Sequence, residues 1–287
     1  MSEKQNILLL GCGDLASRLI PKIDLDAWQI RGLRRSAIFL EGASMSFGDA
    51  SDAKVLEPLL LEQPQQIILC LTPETREASA YRTTYLGAAR TLSMLASKVS
   101  PSAHLIFVSS TSVYGQNSGE EIDEVSDVSP DRDQSKVLLE AENEIVRSKN
   151  PWSIVRFSGI YGPGRTRLIR NVQAGKFTED SSASWTNRIH SEDCAEVLKV
   201  LMENFSKTNQ GAGYLVGSDC EPALNTDVEK WLAKKLGRPS TEVLTQLEKS
   251  EIKGKRCRNS KLLSLGFKFQ YPNFREGYQA LLDTDSI

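Results

Sequence analysis

The stretch Asn6-Ile7-Leu8-Leu9-Leu10-Gly11-Cys12-Gly13-Asp14-Leu15-Ala16 decides the fold. Asn6–Leu10 reads as a buried strand, and the next six residues fit the pattern GxGxxG/A. Such a glycine pattern recurs by chance. Here it follows an apolar strand and opens an amphipathic helix expected to reach Ile23, and that context makes it a dinucleotide turn. Gly11 allows the tight turn, Gly13 lets the backbone approach a pyrophosphate, and Ala16 lets the helix pack close to the sheet. Together with Asp14 and Leu15 they form the expected cofactor turn, with the N–H groups of the helix start facing the phosphates.

Working outward, strands are expected at Gln29–Leu33, Ser44–Phe47, Gln66–Leu71, His104–Ser109 and Trp152–Phe157. Helices at Asp52–Gln63, Ser79–Val99 and Asp133–Lys149 separate most of them, the signature of βαβ units. The fold class is therefore α/β, a Rossmann-type doubly wound parallel sheet with a smaller C-terminal substrate domain. After Phe157 the rhythm changes, with helices at Ser191–Glu203, Thr226–Leu236 and Phe274–Leu282 and one strand at Gly213–Val216. The boundaries expected are 1–157 for the dinucleotide-binding domain and 158–287 for the mainly substrate-binding one, elements near 187–218 returning to the Rossmann core.

The end of the second strand selects the cofactor. A site for NAD wants an acid about 20 residues beyond the motif to take the ribose hydroxyl. The segment reads Ile30-Arg31-Gly32-Leu33-Arg34-Arg35-Ser36, with none. Arg34 and Arg35 are placed to fork onto a 2′-phosphate; otherwise they are two solvated turn arginines. NADP(H) is the expected cofactor, NAD(H) the alternative.

Composition closes off other classes. The 287 residues are 40% hydrophobic and 25% charged with a net charge of −2, and the basic residues are scattered apart from the cluster Lys253–Arg258, read as solvated surface. No footprint for nucleic acid results. No apolar run approaches the roughly 20 residues of a membrane span, and the N-terminus reads as a strand rather than a signal peptide. Five cysteines, odd in number and without a CxxC pair, argue against a disulfide framework or a zinc site. A cytoplasmic monomer or homodimer is expected.

Four further segments, in order, resemble the extended short-chain dehydrogenase/reductases, the group of nucleotide-sugar epimerases and dehydratases. They are Gly48-Asp49-Ala50-Ser51-Asp52, Phe107-Val108-Ser109-Ser110-Thr111-Ser112-Val113-Tyr114-Gly115, Arg156-Phe157-Ser158-Gly159-Ile160-Tyr161-Gly162-Pro163-Gly164 and Asn187-Arg188-Ile189-His190-Ser191-Glu192-Asp193. The resemblance runs nearly the whole chain. It implies that Asp49 faces the adenine amino group and that Leu71, Thr72 and Ser109 join the cofactor contacts. It further implies that Ser110 takes the catalytic Ser/Thr place and Lys136 the place of the lysine that binds the nicotinamide ribose. Thr111, Tyr161 and Arg188 become candidate substrate contacts, Arg188 where relatives hold a nucleotide-sugar pyrophosphate. The partner implied is a small polar molecule of that kind.

The departure from the pattern concerns the reacting group. The family carries a Tyr four residues before the Lys, and that position is Arg132. None of the seven tyrosines has a Lys four residues on. An arginine stays charged and offers no acceptor lone pair, so Arg132 cannot replace a tyrosine proton relay. It is able to hold an anion or a carbonyl oxygen; a surface residue at a helix start is the plainer reading. Two functions stay open: an atypical NAD(P)-dependent epimerase, dehydratase or reductase, and a non-catalytic sensor of NADP(H). His190 and Asp193 sit three residues apart at a helix start, but with His104 the only other histidine a metal set is not evident.

Overall fold

The computed structural model describes residues 4–178, 183–238 and 252–284. Its elements run Gln5–Leu10 (β1), Asp14–Leu19 (α1), Trp28–Arg34 (β2), Ser44–Phe47 (β3), Ala53–Leu61 (α2), Gln66–Leu69 (β4), Ala78–Tyr81 (α3), Ala88–Val99 (α4), His104–Ser110 (β5), Ser118–Ile122 (β6), Asp133–Arg147 (α5) and Trp152–Phe157 (β7). They continue with Gly159–Tyr161 (β8), Arg167–Gln173 (α6), Trp185–Thr186 (β9), Arg188–His190 (β10), Ser191–Thr208 (α7), Gly213–Gly217 (β11), Ala223–Leu224 (β12), Asn225–Lys235 (α8), Gly254–Cys257 (β13), Ser260–Ser264 (α9) and Phe274–Asp283 (α10). The chain divides into two compact units.

The first unit comprises Met1–Val113, Val128–Arg156 and Ala195–Leu215. A seven-stranded sheet orders its strands β11-β7-β5-β4-β1-β2-β3. The pairings of β1 with β2 and β4, of β2 with β3 and of β4 with β5 are all parallel. Ile7–Leu10 and all of β4 are buried, as strands covered on both faces must be. From β1 the chain winds outward to β3 and then returns to β4 on the other side of β1. This reversal opens a crevice at the carboxyl ends of β1 and β4, where such sheets bind ligands.

Two helices differ from the sequence expectation for local reasons. The helix after the turn is only six residues long, because Pro21 sits in a 3-10 turn over Ile20–Lys22. The long helix expected over Ser79–Val99 is broken by a π-helical turn at Arg82–Gly87. There the Thr83 hydroxyl donates back to the Ser79 carbonyl at 2.8 Å, and the Tyr85 hydroxyl donates to the Leu71 carbonyl at 3.1 Å.

A charge pair is sealed inside this unit. Arg156 of β7 donates to both carboxylate oxygens of Glu142 on α5, at 3.1 and 2.7 Å, and the Ser109 hydroxyl of β5 donates to the same carboxylate at 2.5 Å. Glu142 is 0% and Arg156 2% exposed. The guanidinium also stacks on Tyr214 of β11, 4.3 Å from the ring centre. Nearby, His104 is buried between Gln66 and Ser153, and burial pushes its pKa down to about 3, so it stays a neutral core residue.

The second unit comprises Tyr114–Asp127, Phe157–Cys194 and Val216–Ile287. It holds three two-stranded sheets, β10-β8, β12-β9 and β13-β6. Tyr161, Ile169, Val172, Val228, Leu232 and Phe274 lie in one core cluster. Residues 114–127, which the sequence reading left with the first domain, cluster here because β6 pairs with β13 more than 130 residues away. That strand also corrects the reading of Lys253–Arg258 as merely solvated. Lys255 donates to the Tyr114 carbonyl at 2.6 Å, Arg256 to the Gly119 carbonyl at 2.9 Å, and Arg258 to Glu121 at 2.6 Å.

Removing one partner of a buried pair leaves the other charge uncompensated, at a cost of about 3–5 kcal/mol. Glu142→Ala should therefore lose about that much in urea unfolding followed by circular dichroism. A loss under about 1 kcal/mol would mean that water or another group takes over Arg156.

Candidate functional site

At the crevice of the first unit lies an open groove of about 340 Å³. Gly11, Cys12 and Gly13 form one wall. Gly11 has φ +96° and a side chain there would run into the Cys70 carbonyl, so this position needs glycine for the turn itself. Gly13 has an ordinary φ of −97°, and a Cβ there would meet nothing within 4 Å. A side chain there would therefore stand in open space at the wall of the groove. Cys12 is buried, and its thiol packs where a Cβ on Gly32 of β2 would stand. Burial pushes the thiol up to about 11, so it stays protonated and inert.

Asp14, Leu15 and Ala16 do not line the groove. Leu15 and Ala16 lie on the buried side of α1, while Asp14 accepts from Arg18 at 2.8 Å. The opposite wall is Cys70, Leu71, Thr72 and Glu74, which follow β4, with Thr84 of the π-helical turn. Arg34, Arg35, Ser36 and Asp49 complete the rim. Arg34 Nε donates to Ser36 Oγ at 3.1 Å, and Arg35 Nη1 lies 3.0 Å from Glu74 Oε1. Asp49 accepts from the Ser51 amide and hydroxyl, both through Oδ1, which leaves Oδ2 for another donor.

The remaining candidates of this unit stand at the end of β5 and the start of α5. Ser110 closes β5, and its Oγ accepts from the Ser112 amide at 3.1 Å. Thr111, in the 3-10 turn that follows, is buried. Ser109 points the other way, into Glu142, so its hydroxyl is engaged in the core and is not offered to a ligand. Arg132 is the N-cap of α5 with an extended backbone and no side-chain cap bond. Its side chain is exposed, and Lys136, one turn on, is exposed with its ammonium 3.1 Å from Asp133.

Tyr161 and Arg188 lie in the second unit, where the structure brings them together around Asp219. Tyr161 is 4% and Arg188 6% exposed. The Tyr161 ring packs on Tyr278 at 4.6 Å and on His190 at 5.2 Å. Arg188 donates to Thr186 Oγ1 at 2.5 Å and lies over Phe274. Asp219 is fully buried, with only Oδ1 bonded, to the Glu221 amide at 3.2 Å. Burial pushes its carboxyl up to about 7, and Arg188 only partly offsets that. Sequence reasoning pointed to Tyr161 and Arg188 but not to Asp219, which carries no motif. Asp193, in the first turn of α7, accepts from the amides of Gln270 and Tyr271 at 2.7 and 3.1 Å.

The reversed sheet and the glycine turn define a Rossmann-type protein, with an open groove at the switch point. The chain belongs to the NAD dependent epimerase/dehydratase family, whose family model matches residues 8–217. It is similar to a candidate NAD-dependent epimerase/dehydratase of known structure from Methylobacillus flagellatus. The two share 31% identity over 99% of this chain and 100% of that one, with a TM-score of 0.83. The fold is shared with WbmG of Bordetella bronchiseptica, solved with NAD and UDP (17% identity, 98% and 94% of the chains, TM-score 0.78). It is shared also with the UDP-glucuronic acid 4-epimerase of Bacillus cereus, solved with NAD (18%, 96% and 97%, 0.75). No curated protein matches the chain. Among the described residues no helix is long and apolar enough to cross a membrane, and no group of His, Cys, Asp and Glu is arranged to hold a metal.

The two glycines should separate binding from folding. Gly13→Val should fold and lose cofactor binding, whereas Gly11→Ala should lower the melting temperature by several degrees. Calorimetric titration and thermal unfolding read the two effects, and a folded Gly13→Val protein that still binds would make the turn merely structural. Asp219 gives a pH test. Its folded pKa lies above the ordinary 3.8, so the stability it confers is full below about pH 4 and lost as the pH rises through about 7. Asp219→Asn should match wild type below about pH 4, gain on it progressively between about pH 4 and 7, and exceed it by up to about 4 kcal/mol at pH 8. A difference that does not grow with pH would show that the carboxyl is already ionised at neutrality.

Proposed function

We propose that the chain is an NAD(P)-dependent member of its family that acts on a nucleotide sugar or a similar polar, anionic substrate and prefers NADP(H) to NAD(H). The observation that carries this reading is the groove itself: open space in front of Gly13, and two arginines at the end of β2 with no acid on that strand end. When bound, the nicotinamide supplies hydride transfer. The protein's own residues bind and orient. Gly11 and Gly13 admit the pyrophosphate, Arg34 and Arg35 meet the 2′-phosphate, and Asp49 Oδ2 accepts from the adenine amino group. Leu71 and Thr72 flank the cofactor on the other wall.

Lys136 holds the nicotinamide ribose, and Ser110 offers its hydroxyl to a substrate oxygen beside Thr111. Arg132 holds an anionic or carbonyl oxygen and moves no proton. In this reading residues 1–157 serve the cofactor and 158–287 mainly the substrate, Arg188 and Tyr161 through the packing they anchor, in a cytoplasmic monomer or homodimer. A second reading is favoured by Arg132 in the tyrosine position: a sensor that binds NADP⁺ and NADPH and signals their ratio without turnover.

Titration calorimetry should show NADPH binding at least about tenfold tighter than NADH, since charge-assisted hydrogen bonds are worth about 1.5–3 kcal/mol. Arg34→Ala with Arg35→Ala should erase the difference. Equal affinities in the native protein would end the preference. Turnover on a panel of nucleotide sugars should be slow in wild type and rise roughly 10²-fold in Arg132→Tyr, the lower end of what a general acid/base contributes. Fast wild-type turnover that falls in the variant would make Arg132 itself essential to the reaction. Tight binding without turnover in either protein would favour the sensor.

A further inference from the structure

The two arginines do not stand alone at the rim. Arg35 Nη1 lies 3.0 Å from Glu74 Oε1, and Glu74 comes from the other wall, after β4. Both residues line the groove, as do Arg34 and Asp49. The charged rim is thus two cations and two anions. Asp49 Oδ1 accepts from Ser51 and Arg34 Nε donates to Ser36, while Glu74 is the rim carboxylate paired with a guanidinium of the expected phosphate site.

We propose that Glu74 is a specificity-determining residue that holds Arg35 back from the 2′-phosphate and so keeps the groove open to NAD(H). This rests on the reading above that Arg34 and Arg35 meet the adenosine ribose. A 2′-phosphate brings close to two negative charges, and it has to displace or share a guanidinium already paired with a carboxylate. Glu74 therefore disfavours the phosphorylated cofactor twice, by occupying Arg35 and by repelling the phosphate. Toward an unphosphorylated ribose the same carboxylate is an acceptor for the 2′-hydroxyl, the service that an acid at the end of β2 performs in NAD sites. It replaces the acid that β2 lacks. Both partners of the pair are substantially exposed, at 46% and 76%, so the pair is weak and opens readily. Glu74 consequently sets a ratio and does not exclude either cofactor.

The test is calorimetric titration of NADPH and NADH into the full chain as wild type, Glu74→Gln, Arg35→Gln and the double variant, with circular dichroism to verify folding. Glu74→Gln should raise the ratio of NADPH to NADH affinity by roughly threefold to tenfold, with NADPH tighter and NADH no tighter. With Arg35→Gln already present, the same substitution should raise the ratio by clearly less than in wild type, because the pair is then already broken and only the direct repulsion of the phosphate remains. An unchanged ratio, or equal gains for both cofactors, overturns the proposal. If wild type prefers NADH while Glu74→Gln still raises the ratio, the role of Glu74 stands and the NADP(H) preference falls. If wild type prefers NADPH and the ratio does not move, the preference stands and Glu74 has no part in it. Absence of binding in every folded variant overturns both.

Discussion

The sealed pair of Glu142 and Arg156 is the constraint on which the first unit depends. Two ions taken from water lose several kcal/mol of hydration each, and only good geometry with further hydrogen bonds recovers it. Here the carboxylate meets the guanidinium at two points and takes the Ser109 hydroxyl as well. One carboxylate thus joins α5 to β7 and to the end of β5. Such a network satisfies its members in one arrangement and penalises others, which is how buried polar groups fix position. Its consequence reaches function, because β5 ends in Ser110 and α5 begins with Arg132 and Lys136. A slip of α5 by one residue would unpair Glu142 and carry both cations away with it.

The groove is built on a different principle. Its shape comes from missing atoms, at Gly11 because the Cys70 carbonyl stands there and at Gly13 because nothing does. Its charge comes from strand ends on either side of β1. The groove is therefore lined entirely by the first 84 residues of the chain, while Ser110, Arg132 and Lys136 come later, on β5 and at the start of α5. Arg132 is not among the residues that line the groove, so the identity of the side chain there leaves the groove walls in place.

The same division explains what the sequence reveals. The turn after β1 was legible because its physics is contiguous: an apolar strand, two glycines, a short helix. The central strands were legible for the same reason, their burial on both faces leaving unbroken apolar runs. What stayed hidden was set by partners distant in the chain. Nothing near Glu142 announces Arg156, nor does the stretch around Arg35 announce Glu74. The short strands β6 and β13 lack a clear periodicity, since five and four residues hardly display one, and so a basic cluster that is partly a strand read as bare surface. Tyr161 and Arg188 were found through motifs, which flag positions without saying whether a side chain faces solvent or core. Both turned out buried beside Asp219.

Arg132 invites the last step of the argument. It caps α5 with an extended backbone, makes no side-chain bond there and stands exposed. A helix start carries partial positive charge, so a cation at the cap is electrostatically misplaced by a few tenths of a kcal/mol. Lys136, one turn on, adds a second cation, which Asp133 pairs with. Arg132 has no such compensation, and an Asp, Ser or Asn would serve the cap better. Stability therefore does not account for an arginine at this place. An anion at the start of α5 would offset that charge, as the reading of Arg132 under the proposed function requires.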